Sequence, residues 1–147
     1  MDFKTTEKNG KLIVSGYAAK YNSPTDLGRF NEQIAPGAFD SAMEQDVRFL
    51  VNHDGLALAR TTNGSLKLSS DKVGLKYEAH LNDTTASRDL YEAIKRGDVS
   101  QSSFAFTIDR QSWSDDHSTR TVEAVNSLLD VSAVVFPAYK DSSVSAL

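Results

Sequence analysis

Period-two alternation of apolar and polar residues recurs along this chain and constrains its fold more than any other feature. In Leu75-Lys76-Tyr77-Glu78-Ala79-His80-Leu81 every second side chain is apolar. Successive side chains of a strand point to opposite faces, so such a run buries one face and wets the other. Ser103 to Ile108 repeats the pattern: Phe104, Phe106 and Ile108 point one way, Ser103, Ala105 and Thr107 the other. Leu66-Lys67-Leu68 is a shorter instance, and Lys11 to Ala19 and Val47 to Val51 also have strand character. Ser127 to Phe136 is a long apolar strand with Asp130 inside it, stopped by Pro137. Turn signals punctuate these runs. Asn63-Gly64 predicts a tight turn, Asp71-Lys72-Val73-Gly74 a hairpin loop and Asp115-Asp116-His117-Ser118 a polar hairpin tip.

Helical signals are fewer. Thr85 to Arg96 predicts a helix capped by Thr84 or Thr85, with Lys95 and Arg96 in its last turn and Gly97 ending it. Ala86, Leu90, Ala93 and Ile94 supply its apolar stripe. Pro36 to Asp46 predicts a second, short helix. The expected fold is mainly β with a few helices (α+β), an antiparallel sheet or barrel flanked by helices. At 147 residues the chain reads as a single domain, with residues 140–147, small and polar, as an exposed tail.

Composition excludes several classes. There is no cysteine, so disulfides, cysteine metal sites and a cysteine nucleophile are ruled out. The net charge of −4 argues against a nucleic-acid partner. No apolar run approaches the roughly 20 residues of a membrane helix, and Met1-Asp2-Phe3-Lys4 is no secretory leader. The three histidines, His53, His80 and His117, are too few for a multi-histidine metal centre. Asp115 and Asp116 have no accompanying ligands, and no cofactor is expected.

Three polar residues stand where pattern alone does not ask for them: His53 after an apolar strand, Ser103 at an aromatic-rich strand start, and Asp130 inside the most apolar strand. A serine hydroxyl needs a base in reach, and the base needs a third group to fix its tautomer. Histidine suits the second role and a buried carboxylate the third. Each residue also has a plainer reading. A lone histidine such as His53 after a strand is more often a turn residue, Ser103 is more often an ordinary polar-face residue, and Asp130 also reads as an edge charge that blocks aggregation. A carboxylate in an apolar strand is the hardest to dismiss, because it costs stability unless paired. His80 and His117 read as solvated, and Trp113 and Tyr139 as packing.

These residues occur in segments that resemble the prohead (capsid maturation) serine proteases of tailed bacteriophages, a family similar in fold to the herpesvirus assemblins. The resemblance runs from about Ser15 to Val144. Ser15-Gly16-Tyr17-Ala18-Ala19 opens it, and Glu32-Gln33-Ile34-Ala35-Pro36-Gly37-Ala38-Phe39 is similar to the family's E-x-I-x-P-G-A-F. Asn52-His53-Asp54 resembles its N-H-D, and Gly97-Asp98 through Ser103-Phe104-Ala105-Phe106 its G-D…S-F-x-F. Leu129-Asp130-Val131-Ser132 and Pro137-Ala138-Tyr139 resemble its closing strand.

The resemblance implies Ser103 as nucleophile, His53 as general base and Asp130 as the orienting acid, with Glu123 as second candidate for the acid. Ser102 stands where the family has an apolar residue, which leaves the nucleophile's register open by one; alternation favours Ser103, on the face away from Phe104 and Phe106. The oxyanion donors are not located, with Arg60 and Arg110 as candidates. The implied substrates are the phage scaffold protein, or a scaffold-like segment of the coat protein, and the protease itself. The implied setting is the prohead interior in the bacterial cytoplasm, and likeness to the assemblins implies a homodimer. The family's longer C-terminal region implies that an end at Leu147 reflects trimming or self-processing. The rival readings are a catalytically inactive assembly module of the same fold and a β-barrel binding domain for a small ligand.

Overall fold

A computed structural model describes residues 6–8, 10–136 and 145–146. Among these residues eleven strands run in chain order: β1 (Thr6–Lys8), β2 (Lys11–Lys20), β3 (Thr25–Asp26), β4 (Asn31–Ile34), β5 (Arg48–Val51), β6 (Asp54–Arg60), β7 (Leu66–Ser70), β8 (Gly74–His80), β9 (Gln101–Trp113), β10 (Thr119–Val134) and β11 (Ser145–Ala146). A single α-helix, α1 (Thr85–Arg96), lies between β8 and β9 among the described residues. No helix there is long and apolar enough to cross a membrane.

The strands form two sheets. One has the order β1-β2-β8-β7 with β11 also on β2; the other has β3-β4-β10-β5-β6 with β9 also on β10. β10 organises the second sheet. It pairs antiparallel with β9 along nearly its whole length, and parallel with β4 near its start and β5 near its end. No closed barrel is found among the described residues, so the expected barrel is not confirmed there; the strands form two sheets, one of them mixed. Alternation encodes which face of a strand is buried but not which strand it pairs with, so parallel partners leave no mark in it.

The sheets meet through one core. Val14, Leu75, Tyr77 and Ala79 of the first join Phe49, Phe104, Val122, Val125, Leu128 and Val131 of the second. The Phe49 and Tyr77 rings lie 5.4 Å apart across the interface, and Phe104 meets Phe39 edge-on at 5.5 Å. Each large apolar side chain buried in this way contributes about 1.5–3 kcal/mol. At the β2–β8 crossing a side chain on Gly74 would put its Cβ 1.9 Å from the Ala19 carbonyl oxygen, so only glycine allows the strands this close.

α1 has the expected bounds. The Thr84 hydroxyl accepts from Ser87 N, and Gly97, at φ 95°, donates its N–H to the carbonyls of Ala93 and Ile94. The buried stripe is Ser87, Leu90, Tyr91 and Ile94, which replaces the expected Ala86 and Ala93. These positions have i, i+3, i+4, i+7 spacing, and the buried Ser87 hydroxyl is satisfied by Asn82 Oδ1 at 2.6 Å.

The helix expected over Pro36 to Asp46 is only a 3-10 turn, Asp40–Ala42. Its surroundings explain why. Between its pairings with β4 and β5, the edge of β10 lacks a strand partner, and this segment supplies one. Val125 N donates to the Ala38 carbonyl, Ser41 Oγ donates to the Val125 carbonyl, and Leu128 N donates to Gln45 Oε1. Asn63-Gly64 does turn the chain, as a 3-10 turn closed by Gly64 at φ 77° that carries it from β6 in one sheet to β7 in the other. Asp71 organises the β7–β8 hairpin loop as expected, accepting from Val73 N and Gly74 N. The expected stop at Pro137 and most of the tail at 140–147 lie outside the described residues; of the tail, Ser145 and Ala146 pair with β2.

Candidate active site

Three strands converge at the C-terminal end of β10, with β5 on one edge and β9 on the other. In the β9–β10 register Ser103 stands directly opposite Ser132, and Asp130 opposite Ala105. Residues opposite one another in an antiparallel pair share a face, their Cβ atoms about 5 Å apart. Ser103, Ser132 and Asp130 therefore share a face, while Phe104 and Val131 turn to the core. Leu129 is skipped where the register shifts between Leu128 and Asp130. It is exposed, and Asp130 beside it is buried.

His53 comes from the turn between β5 and β6. Val51 pairs with Asp54, so Asn52 and His53 form a two-residue hairpin loop, and both have positive φ, 52° and 58°. Two consecutive left-handed residues are the signature of a type I′ turn, whose twist matches the flanking strands. His53 is an unusual residue in that conformation, and two bonds to β10 and one to the residue just after it hold the turn there. Asn52 N donates to the Ala133 carbonyl at 2.9 Å, Val135 N donates to Asn52 Oδ1 at 3.0 Å, and His53 N donates to Ser132 Oγ at 3.2 Å.

The turn delivers the imidazole to the acid. His53 Nδ1 lies 2.6 Å from Asp130 Oδ1, and the same oxygen accepts from Ser132 Oγ at 2.8 Å. The Asp130 side chain is 10% exposed and that of His53 37%, so the carboxylate is sheltered while the ring still reaches solvent. An imidazole whose Nδ1–H is given to a carboxylate keeps its Nε2 lone pair for a proton.

The structure thus brings His53 and Asp130 into contact, and the strand register places Ser103 opposite Ser132, on the face that carries Asp130. Ser102 faces the other way: its hydroxyl lies 2.6 Å from the Tyr77 hydroxyl, buried between the sheets. Glu123 is not part of the group. It lies seven positions before Asp130 on β10, roughly 20 Å along a strand, and accepts from Ser112 Oγ at 2.7 Å. Arg60 is held by Asp46 through two charge-assisted bonds, at 2.8 and 2.6 Å. Arg110 is exposed on the far half of β9. His80 is half-buried beside Glu78 at 3.3 Å, and His117 is exposed in the β9–β10 turn. Trp113 packs on Phe30, ring centroids 5.0 Å apart, while Tyr139 lies outside the described residues. Among the described residues no group of three or more histidine or carboxylate side chains could hold a metal. Ser132 stands in the sequence only as part of the closing-strand motif, with no role assigned, although strand periodicity from Asp130 puts it on the same face.

The sequence model of the caudovirus prohead serine proteases matches residues 1–147. The prohead protease of Enterobacteria phage HK97 is 25% identical over 150 residues, an alignment that covers 99% of this chain and 64% of that protein. Among solved structures, the KSHV protease in complex with a hexapeptide phosphonate inhibitor superposes with a TM-score of 0.59 at 10% identity, covering 93% of this chain and 65% of that one. At that identity the likeness to the herpesvirus enzyme is one of fold.

Proposed function

This chain belongs to the caudovirus prohead serine protease family, and from that premise we propose that it is a serine endopeptidase of capsid maturation with Ser103 as nucleophile, His53 as general base and Asp130 as orienting acid. The observation that carries the reading is the 2.6 Å contact between His53 Nδ1 and Asp130 Oδ1, made on the strand that pairs Ser132 with Ser103.

The chemistry follows from that arrangement. Asp130 accepts the Nδ1–H of His53, which fixes the tautomer and leaves Nε2 as the base. Nε2 takes the Ser103 proton as Oγ bonds to the peptide carbonyl carbon. The resulting imidazolium is stabilised by the neighbouring carboxylate and then returns the proton to the leaving amine as the C–N bond breaks. Water repeats the sequence on the acyl-enzyme and restores Ser103. The substrates in this reading are the phage scaffold protein, or a scaffold segment of the coat protein, and the protease chain itself, cut within the prohead in the host cytoplasm. The enzyme acts as a homodimer in this reading, and no cofactor takes part.

The test is a fluorophosphonate probe applied to the purified protein, with the adduct mapped by mass spectrometry. The expected result is an adduct on Ser103 that is lost in Ser103→Ala and collapses in His53→Ala. An adduct confined to another serine, or one indifferent to His53, overturns the assignment. A wild-type protein that stays unlabelled both free and within assembled proheads favours the inactive assembly module.

A further inference from the structure

We propose that Ser132 is a positioning residue of the same site, whose hydroxyl holds the acid and the base-bearing turn in one fixed arrangement. Ser132 follows Asp130 by two residues on β10, so both side chains point to one face. It is fully buried. A serine hydroxyl has one proton to give and two lone pairs to receive with. Here the proton goes to Asp130 Oδ1 at 2.8 Å, and one lone pair takes the backbone N–H of His53 at 3.2 Å. One side chain therefore touches both partners of the 2.6 Å His53–Asp130 contact, and its oxygen lies 3.4 Å from His53 Nδ1.

Each of these bonds meets a specific need. Asp130 Oδ1 is held by Ser132 on one side while it receives the imidazole on the other, so its carboxylate cannot rotate away from the ring without breaking a bond. The His53 backbone sits at φ 58°, a conformation that costs free energy outside glycine, and its N–H would lose its only strand contact without Ser132. Ser132 also stands directly opposite Ser103 in the strand register, so the residue that holds base and acid faces the proposed nucleophile across the β9–β10 pair. It is not a second nucleophile, because it is buried and its proton is committed to a carboxylate rather than to a base. The kinetic part of this inference rests on the proposed roles of Ser103, His53 and Asp130; the structural part does not.

The experiment uses the full chain carrying ¹⁵N-labelled histidine, as wild type and as Ser132→Ala, with circular dichroism to verify that the variant is folded. In the wild type the His53 Nδ1–H is expected as a downfield, slowly exchanging resonance. In Ser132→Ala it is expected to move upfield or disappear through exchange. The rate of Ser103 labelling by the fluorophosphonate probe is expected to fall about tenfold to a hundredfold, the equivalent of one charge-assisted hydrogen bond. An unchanged resonance, or a labelling rate within about twofold of wild type, overturns the role of Ser132. If the wild-type Ser103 is not labelled at all while Ser132→Ala still displaces the resonance, the clamp stands and the nucleophile assignment falls.

Discussion

The Tyr77 hydroxyl lies 2.6 Å from the hydroxyl of Ser102, and this bond crosses from one sheet to the other. Both residues are fully buried. Burial pushes the Tyr77 phenol far up, with the Ser102 hydrogen bond pulling the other way, so the pair is a neutral one at any ordinary pH. The bond gives a physical reason for a serine where the family pattern has an apolar residue. It also separates two adjacent serines by role: Ser102 ties β9 to the core, and that tie fixes the face on which Ser103 emerges.

Removing either hydroxyl should cost stability without displacing the proposed nucleophile, Ser103. Tyr77→Phe and Ser102→Ala are each expected to lose about 1–2 kcal/mol in urea denaturation, the range for a buried hydrogen bond whose partner is left behind. The double variant should lose less than the sum, with a coupling of about 1 kcal/mol. The fluorophosphonate adduct should stay on Ser103 in all three. Migration to Ser102 in Tyr77→Phe, or strict additivity, contradicts the tie.

How much of this was legible in the sequence varies from residue to residue. Strand faces were, because period two is a local property: it put Ser103 opposite to Phe104 and Phe106, and Asp130 inside a buried strand. The helix bounds at Thr84 and Gly97 were, because caps are local chemistry. Pairing was not. The parallel contacts of β10 with β4 and β5, and hence the mixed sheet, depend on crossovers between segments far apart in sequence. The helical pattern read into Pro36 to Asp46 gave way to a tertiary demand, the unpaired edge of β10. At the site, pattern alone favoured His53 as a turn residue and only the family resemblance made it a base; the structure places it in a turn. Asn52-His53 as a type I′ loop, and Ser132 as the residue that anchors it, required knowing that this turn meets this strand.

The turn carrying His53 should respond to Asn52 in a graded way. Asn52→Gly keeps the left-handed backbone accessible but loses the acceptor for Val135 N. Asn52→Ala loses the acceptor and adds the cost of a left-handed alanine, about 1–2 kcal/mol. The rate of Ser103 labelling should therefore fall in the order wild type, Gly, Ala, and thermal stability should follow the same order. An alanine variant as reactive as the glycine variant would show that the turn conformation does not position His53.

Asp130→Asn tests the acid without emptying its place. The amide keeps the size of the carboxylate and can still accept from Ser132, but it no longer supplies the charge that fixes and stabilises the imidazole. Labelling of Ser103 should drop by about a thousandfold or more, with the circular dichroism spectrum unchanged. Glu123→Gln, whose parent carboxylate lies farther back on β10 and accepts from Ser112 of β9, should label at the wild-type rate. The reverse ranking would transfer the acid's role to Glu123.

The β9–β10 turn should show its electrostatics at low pH. Hydrogen bonds from Ser118 and Ser114 lower the pKa of Asp116 from 3.8 to about 2. A carboxyl with a depressed folded-state pKa contributes stability that is complete above its unfolded value and fades as pH falls through the folded one. Asp116→Ala is therefore expected to melt below wild type at pH 5–7, and the gap should close between about pH 4 and pH 2. A gap that stays constant over that window would mean that the ionised form is not what the turn relies on.

Glu32 opens the segment that resembles the family's E-x-I-x-P-G-A-F. Glu32 of β4 pairs in register with Arg120 of β10, and its carboxylate accepts from the guanidinium Nε at 2.7 Å and also from Nη2. The Glu32 side chain is 3% exposed, and Arg120 stacks over the Phe30 ring at 4.8 Å. Breaking a buried pair from one side leaves an uncompensated charge, which costs about 3–5 kcal/mol when both partners are sheltered. Arg120 is 22% exposed and can rehydrate, so Glu32→Ala is expected to lose somewhat less, about 2–3 kcal/mol in urea denaturation. Replacing both partners by apolar residues, Glu32→Leu with Arg120→Met, should recover most of the loss, because no charge is then left behind. The labelling rate of Ser103 in folded protein should be unaffected, since the pair sits at the opposite end of β10 from Asp130. A large fall in labelling with stability preserved would instead place Glu32 in the chemistry.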